Sequence, residues 1–177
     1  MDAAAYTALI EQRLSERTDA FAAVLKQVSQ LSTTSEATLH IEVDVAAMAH
    51  DFPVAIFMDG PPQTPQVPHE IDVALRAIGP LLSIEEEDRF VVFEDGPNGP
   101  QYALKQPILD GVAAEQTLVL PWVIKIAKNA GLEAIGCEVA ACLHDSAEPE
   151  IIVPRPSPSS GGDVNPAGFM APLFDRK

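Results

Sequence analysis

TLHIEVDV, residues 38–45, is the stretch that most strongly indicates the fold, because apolar and polar side chains alternate along its whole length. Successive side chains of a β-strand point to opposite faces, so this alternation predicts a half-buried strand. The buried face would hold Leu39, Ile41, Val43 and Val45, and the solvent face would hold His40, Glu42 and Asp44.

Further strands are predicted from apolar or alternating runs bounded by turn residues. They lie at residues 54–58, 90–94, 102–106, 133–144 and 151–153. The glycines and prolines of the loop DGPNGP, residues 95–100, are typical of a hairpin, so the third and fourth strands are expected to be antiparallel neighbours.

Three helices are predicted from apolar residues at helical spacing. The first, residues 3–30, would be about 40 Å long, so it either kinks near residues 15–19, projects at one end as a dimer or partner surface, or packs across a broad sheet. The second covers residues 68–78. The third carries Val119 to Ala130, with Pro121 in its first turn and Gly131 as its stop.

The predicted elements follow one order three times, a helix and then two strands, and this order indicates an α+β fold. We expect a single domain over residues 1–153, with a mainly antiparallel sheet of about five or six strands and about three helices on one face. Residues 154–177 are rich in proline, serine and glycine and are predicted to be a flexible tail. Its apolar segment, residues 169–174, would either dock or remain free.

The charge balance restricts the kinds of partner. Twenty-six acidic residues against 11 basic ones give a formal net charge of −15, and such a field repels phosphate backbones and anionic lipids. Neither nucleic-acid binding nor membrane binding is therefore expected. The N-terminal residues do not have the pattern of a signal peptide, so the sequence predicts a cytoplasmic protein.

Acidic residues are concentrated in one window. Between Gln27 and Leu75 there is no lysine or arginine, whereas the acidic residues there are Glu36, Glu42, Asp44, Asp51, Asp59, Glu70 and Asp72. Glu70 and Asp72 have a local explanation, because carboxylates in the first turn of a helix interact favourably with its dipole. Asp59 precedes Gly60 and is typical of a turn.

The densest acidic run is Glu85, Glu86, Glu87 and Asp88. Ser83 and Glu86 have the spacing of a capping box, in which each side chain binds the backbone amide of the other residue at a helix start. The run is therefore either a solvated helix start or part of a surface for a basic protein.

These patterns favour a non-enzymatic interaction module of the immunity or inhibitor kind, which binds a basic protein partner. The candidate partner-binding residues are Glu42, Asp44, Asp51, Asp59, Glu85, Glu86, Glu87 and Asp88. Homo-oligomerisation through the N-terminal helix stays open as a further mode of association.

The alternative is a small-ligand-binding protein or an enzyme without a local motif. Its pocket would lie between the sheet and the proline-rich loop from Asp59 to Pro68, with Asp59 or His69 as ligand-binding residues. No cofactor or metal is predicted, because the HExxH, CxxC, EF-hand, P-loop and GxGxxG patterns do not occur. Cys137 and Cys142 are expected to be reduced and unreactive.

Overall fold

The computed structural model describes residues 3–44, 50–83, 85–86, 91–96, 99–104, 111–144, 146 and 148–157, with the backbone alone described for residues 91–96, 99–104 and 111–115. Its elements are, in chain order, α1 (Ala3–Val28), β1 (Thr38–Val43), β2 (Val54–Asp59), α2 (His69–Arg76), β3 (Val91–Gly96), β4 (Gly99–Leu104), α3 (Gly111–Ala127), a 3-10 helix (Leu132–Ile135), β5 (Glu138–Leu143) and β6 (Glu150–Val153). The predicted succession of one helix and two strands is confirmed, and so is the α+β class.

The main sheet of the described residues has four strands in the order β2-β1-β5-β6. β1 is antiparallel to β2 but parallel to β5, and β6 is antiparallel to β5. The sheet is therefore mixed and smaller than the predicted five or six strands. Thr38 and Glu138 are register partners although 100 residues separate them, and no local pattern specifies such a pairing.

The predicted hairpin is confirmed by β3 and β4, which pair from Val91 opposite Leu104 to Gly96 opposite Gly99. Within the described residues these two strands form a separate two-stranded sheet. The sequence correctly predicts two neighbouring strands here, but their hydrogen bonds go to each other and do not extend the main sheet.

α1 is one continuous helix that packs along its whole length. Its buried stripe consists of Tyr6, Ile10, Leu14, Phe21, Val24, Leu25 and Val28. Because buried residues lie near both ends of α1, neither end projects from the fold. The stripe contacts α2 and α3 and joins a core that includes Leu39, Ile41 and Val43 of β1.

Aromatic rings fill the centre of the helical layer. The Phe21 ring stacks on Trp122 of α3 at 5.1 Å and lies 5.5 Å from the Phe52 ring. The indole Nε1 of Trp122 donates a hydrogen bond of 3.1 Å to Thr18 Oγ1 on α1. α1 and α3 are thus joined by both apolar and polar contacts.

The predicted start of the third helix is wrong. α3 begins at Gly111, and Pro121 lies in its interior. Proline lacks a backbone N–H and removes one intrahelical hydrogen bond, so the sequence favours a first-turn position for it. Burial of Val119 and Val123 against the core offsets that loss. α3 ends at Ala127, three residues before the predicted last helical residue Ala130, and Gly131 follows with a φ of 72°.

The predicted strand at residues 133–144 is too long. Residues 132–135 form a 3-10 helix that buries Leu132 and Ile135, and β5 begins only at Glu138. Gly136, with a φ of 84°, separates the two elements. The apolar alternation continues through both because Ile135 and Cys137 are buried as well, so periodicity alone could not distinguish them.

Candidate interaction surface on the outer face of the sheet

The two faces of the main sheet have different surroundings. One face, called the inner face below, contributes Leu39, Ile41 and Val43 to the core beneath the helices. The strand register places three cross-strand rows on the opposite, outer face. They are Asp59–Thr38–Glu138, Phe57–His40–Ala140–Ile151 and Ala55–Glu42–Cys142.

The middle row of the outer face is apolar and aromatic. Phe57 and Ile151, at its two ends, are 40% and 45% exposed, which makes them two of the large apolar residues exposed in the described structure. The Phe57 ring stacks on the His40 imidazole, with the ring centres 5.0 Å apart and the planes 14° from parallel. Ala140 lies between His40 and Ile151 and is itself only 1% exposed. With strands about 4.8 Å apart, the row extends about 14 Å across the sheet.

Acidic groups lie at the first end of the outer face. The Asp59 side chain accepts a hydrogen bond of 2.8 Å from the Gly60 amide, which agrees with the predicted turn, and the residue is exposed. Glu138 accepts a 3.3 Å hydrogen bond from Thr38 Oγ1 and lies 3.5 Å from the Arg155 guanidinium. Arg155 also donates a hydrogen bond of 3.0 Å to Thr38 Oγ1, so one cation already lies in this row and partly neutralises Glu138.

A carboxylate–imidazole pair lies at the second end of the outer face. Glu42 Oε1 is 2.7 Å from His144 Nδ1. The two residues are 102 positions apart, and the parallel pairing of β1 with β5 brings them together. No local pattern in the sequence links Glu42 with His144, so the sequence analysis did not predict this contact. Knowledge that β1 and β5 are parallel neighbours would have revealed it.

Cys142 is the register partner of Glu42 on the outer face. Burial raises the pKa of the Cys142 thiol, and the Glu42 carboxylate raises it further. Burial likewise raises the pKa of the Cys137 thiol. Both thiols therefore stay protonated near neutral pH and are poor nucleophiles.

The candidate residues next to the second end differ in their contacts. Asp44 follows β1, and its amide donates to the Pro53 carbonyl at 3.1 Å. Asp51 lies 3.5 Å from Arg76, and Arg76 also contacts Asp72 at 3.1 Å. Arg76, the first basic residue after the acidic window, therefore neutralises part of the charge at Asp51.

The described part of the densest acidic run is bound to the helical layer. The Ser83 amide donates to Glu86 at 2.8 Å and the Glu86 amide donates to Ser83 Oγ at 3.1 Å, which confirms the capping box. Arg13 of α1 also donates to Glu86 at 2.8 Å. The Ser83 amide and Arg13 together lower the pKa of the Glu86 carboxyl. Glu85 is exposed, whereas Glu87 and Asp88 lie outside the described residues.

Arg17 holds the same segment to α1. Its guanidinium donates to the Pro80 carbonyl at 2.5 Å and to the Arg13 carbonyl at 3.2 Å. Burial lowers the pKa of Arg17, and the neighbouring Arg13 lowers it further. Glu86 is therefore part of the contact between α1 and residues 80–86, on the helical side of the sheet, while Glu42 and Asp59 lie on the outer face.

The residues of the predicted ligand site have local contacts. His69 begins α2, its side chain is 82% exposed, and its Nδ1 lies 3.9 Å from Asp72. A cleft of about 360 Å³ lies elsewhere, between the end of α3 and β6. Its lining is Pro121, Ile124, Lys125, Lys128, Asn129 and Glu150. Neither Asp59 nor His69 contributes to it.

The described residues were also compared with the requirements of a metal site and of a membrane-spanning helix. Among these side chains, no three or more histidine, cysteine, aspartate or glutamate residues are grouped so that they could hold a metal ion. In the same parts of the chain, no helix is long and apolar enough to cross a membrane.

Comparison with protein-family models, with curated proteins and with solved structures gives no match for this chain. The geometry of the outer face is therefore the basis for assigning a function.

Proposed function

We propose that this protein is a non-enzymatic interaction module that binds a basic protein partner through the outer face of its sheet. The observation that carries the proposal is the exposed row containing Phe57 and Ile151, which lies between acidic groups at both ends of the same face. Specific interfaces combine an apolar or aromatic centre with a polar rim, and this face has both parts.

The net charge of −15 supports a basic partner in preference to a neutral or acidic one. A field of one sign raises the rate of association with oppositely charged proteins and loses that effect as salt screens it. The carboxylates on or beside this face are Asp59, Glu42 and Asp44; Glu42 contacts His144, and Asp51 is partly neutralised by Arg76. Glu86 contributes less because Ser83 and Arg13 already occupy its oxygens.

The finer form of the proposal is an immunity or inhibitor protein that acts in the cytoplasm. Neutralisation of a basic toxin would need an acidic surface with an apolar centre, and the outer face provides both. Two unpaired thiols, Cys137 and Cys142, are consistent with a reducing compartment.

The dimensions of the face limit the affinity that it can support. Four strands of about six residues give a surface of roughly 19 Å by 20 Å, or about 400 Å². Stable interfaces bury about 800 Å² on each partner, so the outer face by itself supports transient, salt-sensitive binding.

Ligand binding at Asp59 and His69 receives no support from the geometry. Asp59 stabilises its own turn, His69 is largely exposed, and neither residue lines the cleft beside α3. The interaction module is therefore the function that we adopt.

The test uses immobilised protein and a matched pair of variants. Phe57→Ser removes the exposed ring from the outer face, and Val73→Ser removes an exposed apolar side chain, 52% accessible, from α2. Wild type and Val73→Ser are expected to retain the same basic protein from a cell extract at low salt and to release it at high salt, while Phe57→Ser loses it. Equal retention by Phe57→Ser, or retention that salt does not change, would contradict the proposal.

A further inference from the structure

From the row spacing on the outer face we infer that the partner contributes an amphipathic basic helix. Its apolar centre covers the row of Phe57, His40 and Ile151, and cationic side chains on either side of that centre meet Asp59 and Glu42. This inference rests on the proposed function and specifies the segment that the face recognises.

A helix fits this face better than an extended segment does. The backbone groups of β1 and β5 are engaged in ladders with strands on both sides, so the middle of the face offers side chains and no free backbone partners. A strand laid across it would leave its own N–H and C=O groups without partners, whereas a helix satisfies its backbone internally. Helices already cover the inner face, and a sheet with helices on both faces is a stable layered arrangement.

The spacing of the rows determines the pattern of the helix. Adjacent rows are two strand residues apart, or about 6.6 Å. A helix rises about 1.5 Å per residue, so one row corresponds to about four helical residues. Three rows therefore match a cation, an apolar residue and a second cation at positions i, i+4 and i+8, which lie on one side of a helix.

The side chains of the middle row differ in size and in exposure. On the outer side of β5, Ala140 lies in the middle row and Cys142 lies in the row at the second end, and both side chains are small. The larger His40 and Ile151 lie beside Ala140 on the neighbouring strands. Ala140 is only 1% exposed, so the accessible apolar contacts that this row offers to a helix are Phe57 and Ile151 at its two ends.

The charges select a basic helix. Asp59 at the first end lies in an exposed turn, and Glu42 at the second end has an imidazole as its neighbour. Arg155 already contacts Thr38 and Glu138 in the first row, so Asp59 is the carboxylate that an added cation would meet at that end. An acidic helix would place further negative charge beside Asp59 and Glu42, and a basic helix without an apolar centre would leave Phe57 and Ile151 in water.

The experiment uses synthetic peptides of about 16 residues, a length that spans the sheet as a helix. The patterned peptide carries lysine, leucine and lysine four residues apart on one side. A rearranged peptide has the same composition without a common side, and a third has serine in place of leucine. Fluorescence anisotropy measures the dissociation constants for wild type, Phe57→Ser, Val73→Ser and the Glu42→Gln/Asp59→Asn double variant, while circular dichroism measures peptide helicity.

The patterned peptide is expected to bind wild type about tenfold more tightly than either control peptide, a difference that exceeds general attraction to an acidic protein. Phe57→Ser should remove that advantage, Val73→Ser should keep it, and the double variant should weaken binding and reduce its dependence on salt.

The outcomes separate this inference from the proposed function. Equal affinity for patterned and rearranged peptides, with both lost in Phe57→Ser, would overturn the helical pattern and leave the outer face as the binding surface. Binding that does not change in Phe57→Ser would overturn both. Phe57-dependent self-association of wild type without peptide binding would identify a second copy of this chain as the occupant and would also overturn the inference.

Discussion

The inner and outer faces of β1 use alternate residues of one short strand for different purposes. Leu39, Ile41 and Val43 are fully buried beneath the helices, whereas His40 and Glu42 are half-buried on the other side. The outer neighbours Phe57 and Ile151 are more exposed still. The inner face therefore stabilises the fold, whereas Phe57 and Ile151 leave the outer face available for a partner.

The carboxylates are likewise divided between the helical side of the sheet and its outer face. Glu86 belongs to the helical side, where Ser83 and Arg13 bind it, and its charge contributes to the fold. Glu42 and Asp59 belong to the outer face, where Asp59 is exposed and Glu42 contacts the His144 imidazole. A high local density of acidic residues therefore does not identify the binding surface, since the densest run contains a structural residue.

The largest predicted effect is a loss of unfolding free energy, tested with one apolar residue from each face. Ile41→Ala should lower the free energy of unfolding by about 2–5 kcal/mol, because it leaves a cavity in the core. Phe57→Ala should lower it by about 1 kcal/mol, since the ring is already partly in water. Urea unfolding monitored by circular dichroism measures both. Equal losses would show that the outer face is part of the core.

The next effect concerns the carboxylate that belongs to the helical side. A double-mutant cycle with Arg13→Met and Glu86→Gln should give a coupling energy of about 1.5 kcal/mol, because this charged hydrogen bond is partly buried. The matched cycle with Arg76→Met and Asp72→Asn tests an exposed pair and should give about 0.3–0.5 kcal/mol. A smaller coupling for Arg13 and Glu86 than for Arg76 and Asp72 would argue against a structural role for Glu86.

A smaller effect is expected at the contact between α1 and α3. Thr18→Val removes the acceptor for the Trp122 indole N–H and should cost about 1 kcal/mol of unfolding free energy. The chain has one tryptophan, so a shift of its emission spectrum reports this contact directly. Thr7→Val, a similar change on the same helix, is the control. An unchanged spectrum in Thr18→Val would indicate that this hydrogen bond does not form.

The smallest effect is a dependence on pH. The folded state lowers the pKa of the Glu86 carboxyl, so ionised Glu86 stabilises the fold near neutral pH. That stabilisation is lost as the pH falls through the lowered pKa. The difference in unfolding free energy between wild type and Glu86→Gln should therefore decrease in acid. Glu85→Gln, at an exposed neighbour, should show a smaller change; a difference for Glu86→Gln that stays constant with pH would contradict this explanation.

Local patterns predicted much of this fold. The alternation in β1, the buried stripe of α1 and the capping box at Ser83 each depend on residues close in sequence, and the structure confirms all three. The start of α3 was predicted wrongly because packing of Val119 and Val123 overrides the preference of Pro121 for a first turn.

The candidate surface could be predicted only in part. Glu42 and Asp59 were identified as candidates from charge, but their position at opposite ends of one face depends on the strand register. The pairing of β1 with β5 connects residues about 100 positions apart, so the contact between Glu42 and His144 has no local signal. The exposed row at Phe57 was missed for the same reason, because a mainly apolar strand does not reveal which face a helix covers.

The most direct test of the outer face as the binding surface is an NMR titration of ¹⁵N-labelled protein with the patterned basic peptide. We predict that amide shifts concentrate at His40, Phe57, Ala140 and Ile151 and that they disappear in Phe57→Ser. Shifts confined to residues 83–86 or to the cleft beside α3, or shifts that persist in Phe57→Ser, would contradict binding through the outer face.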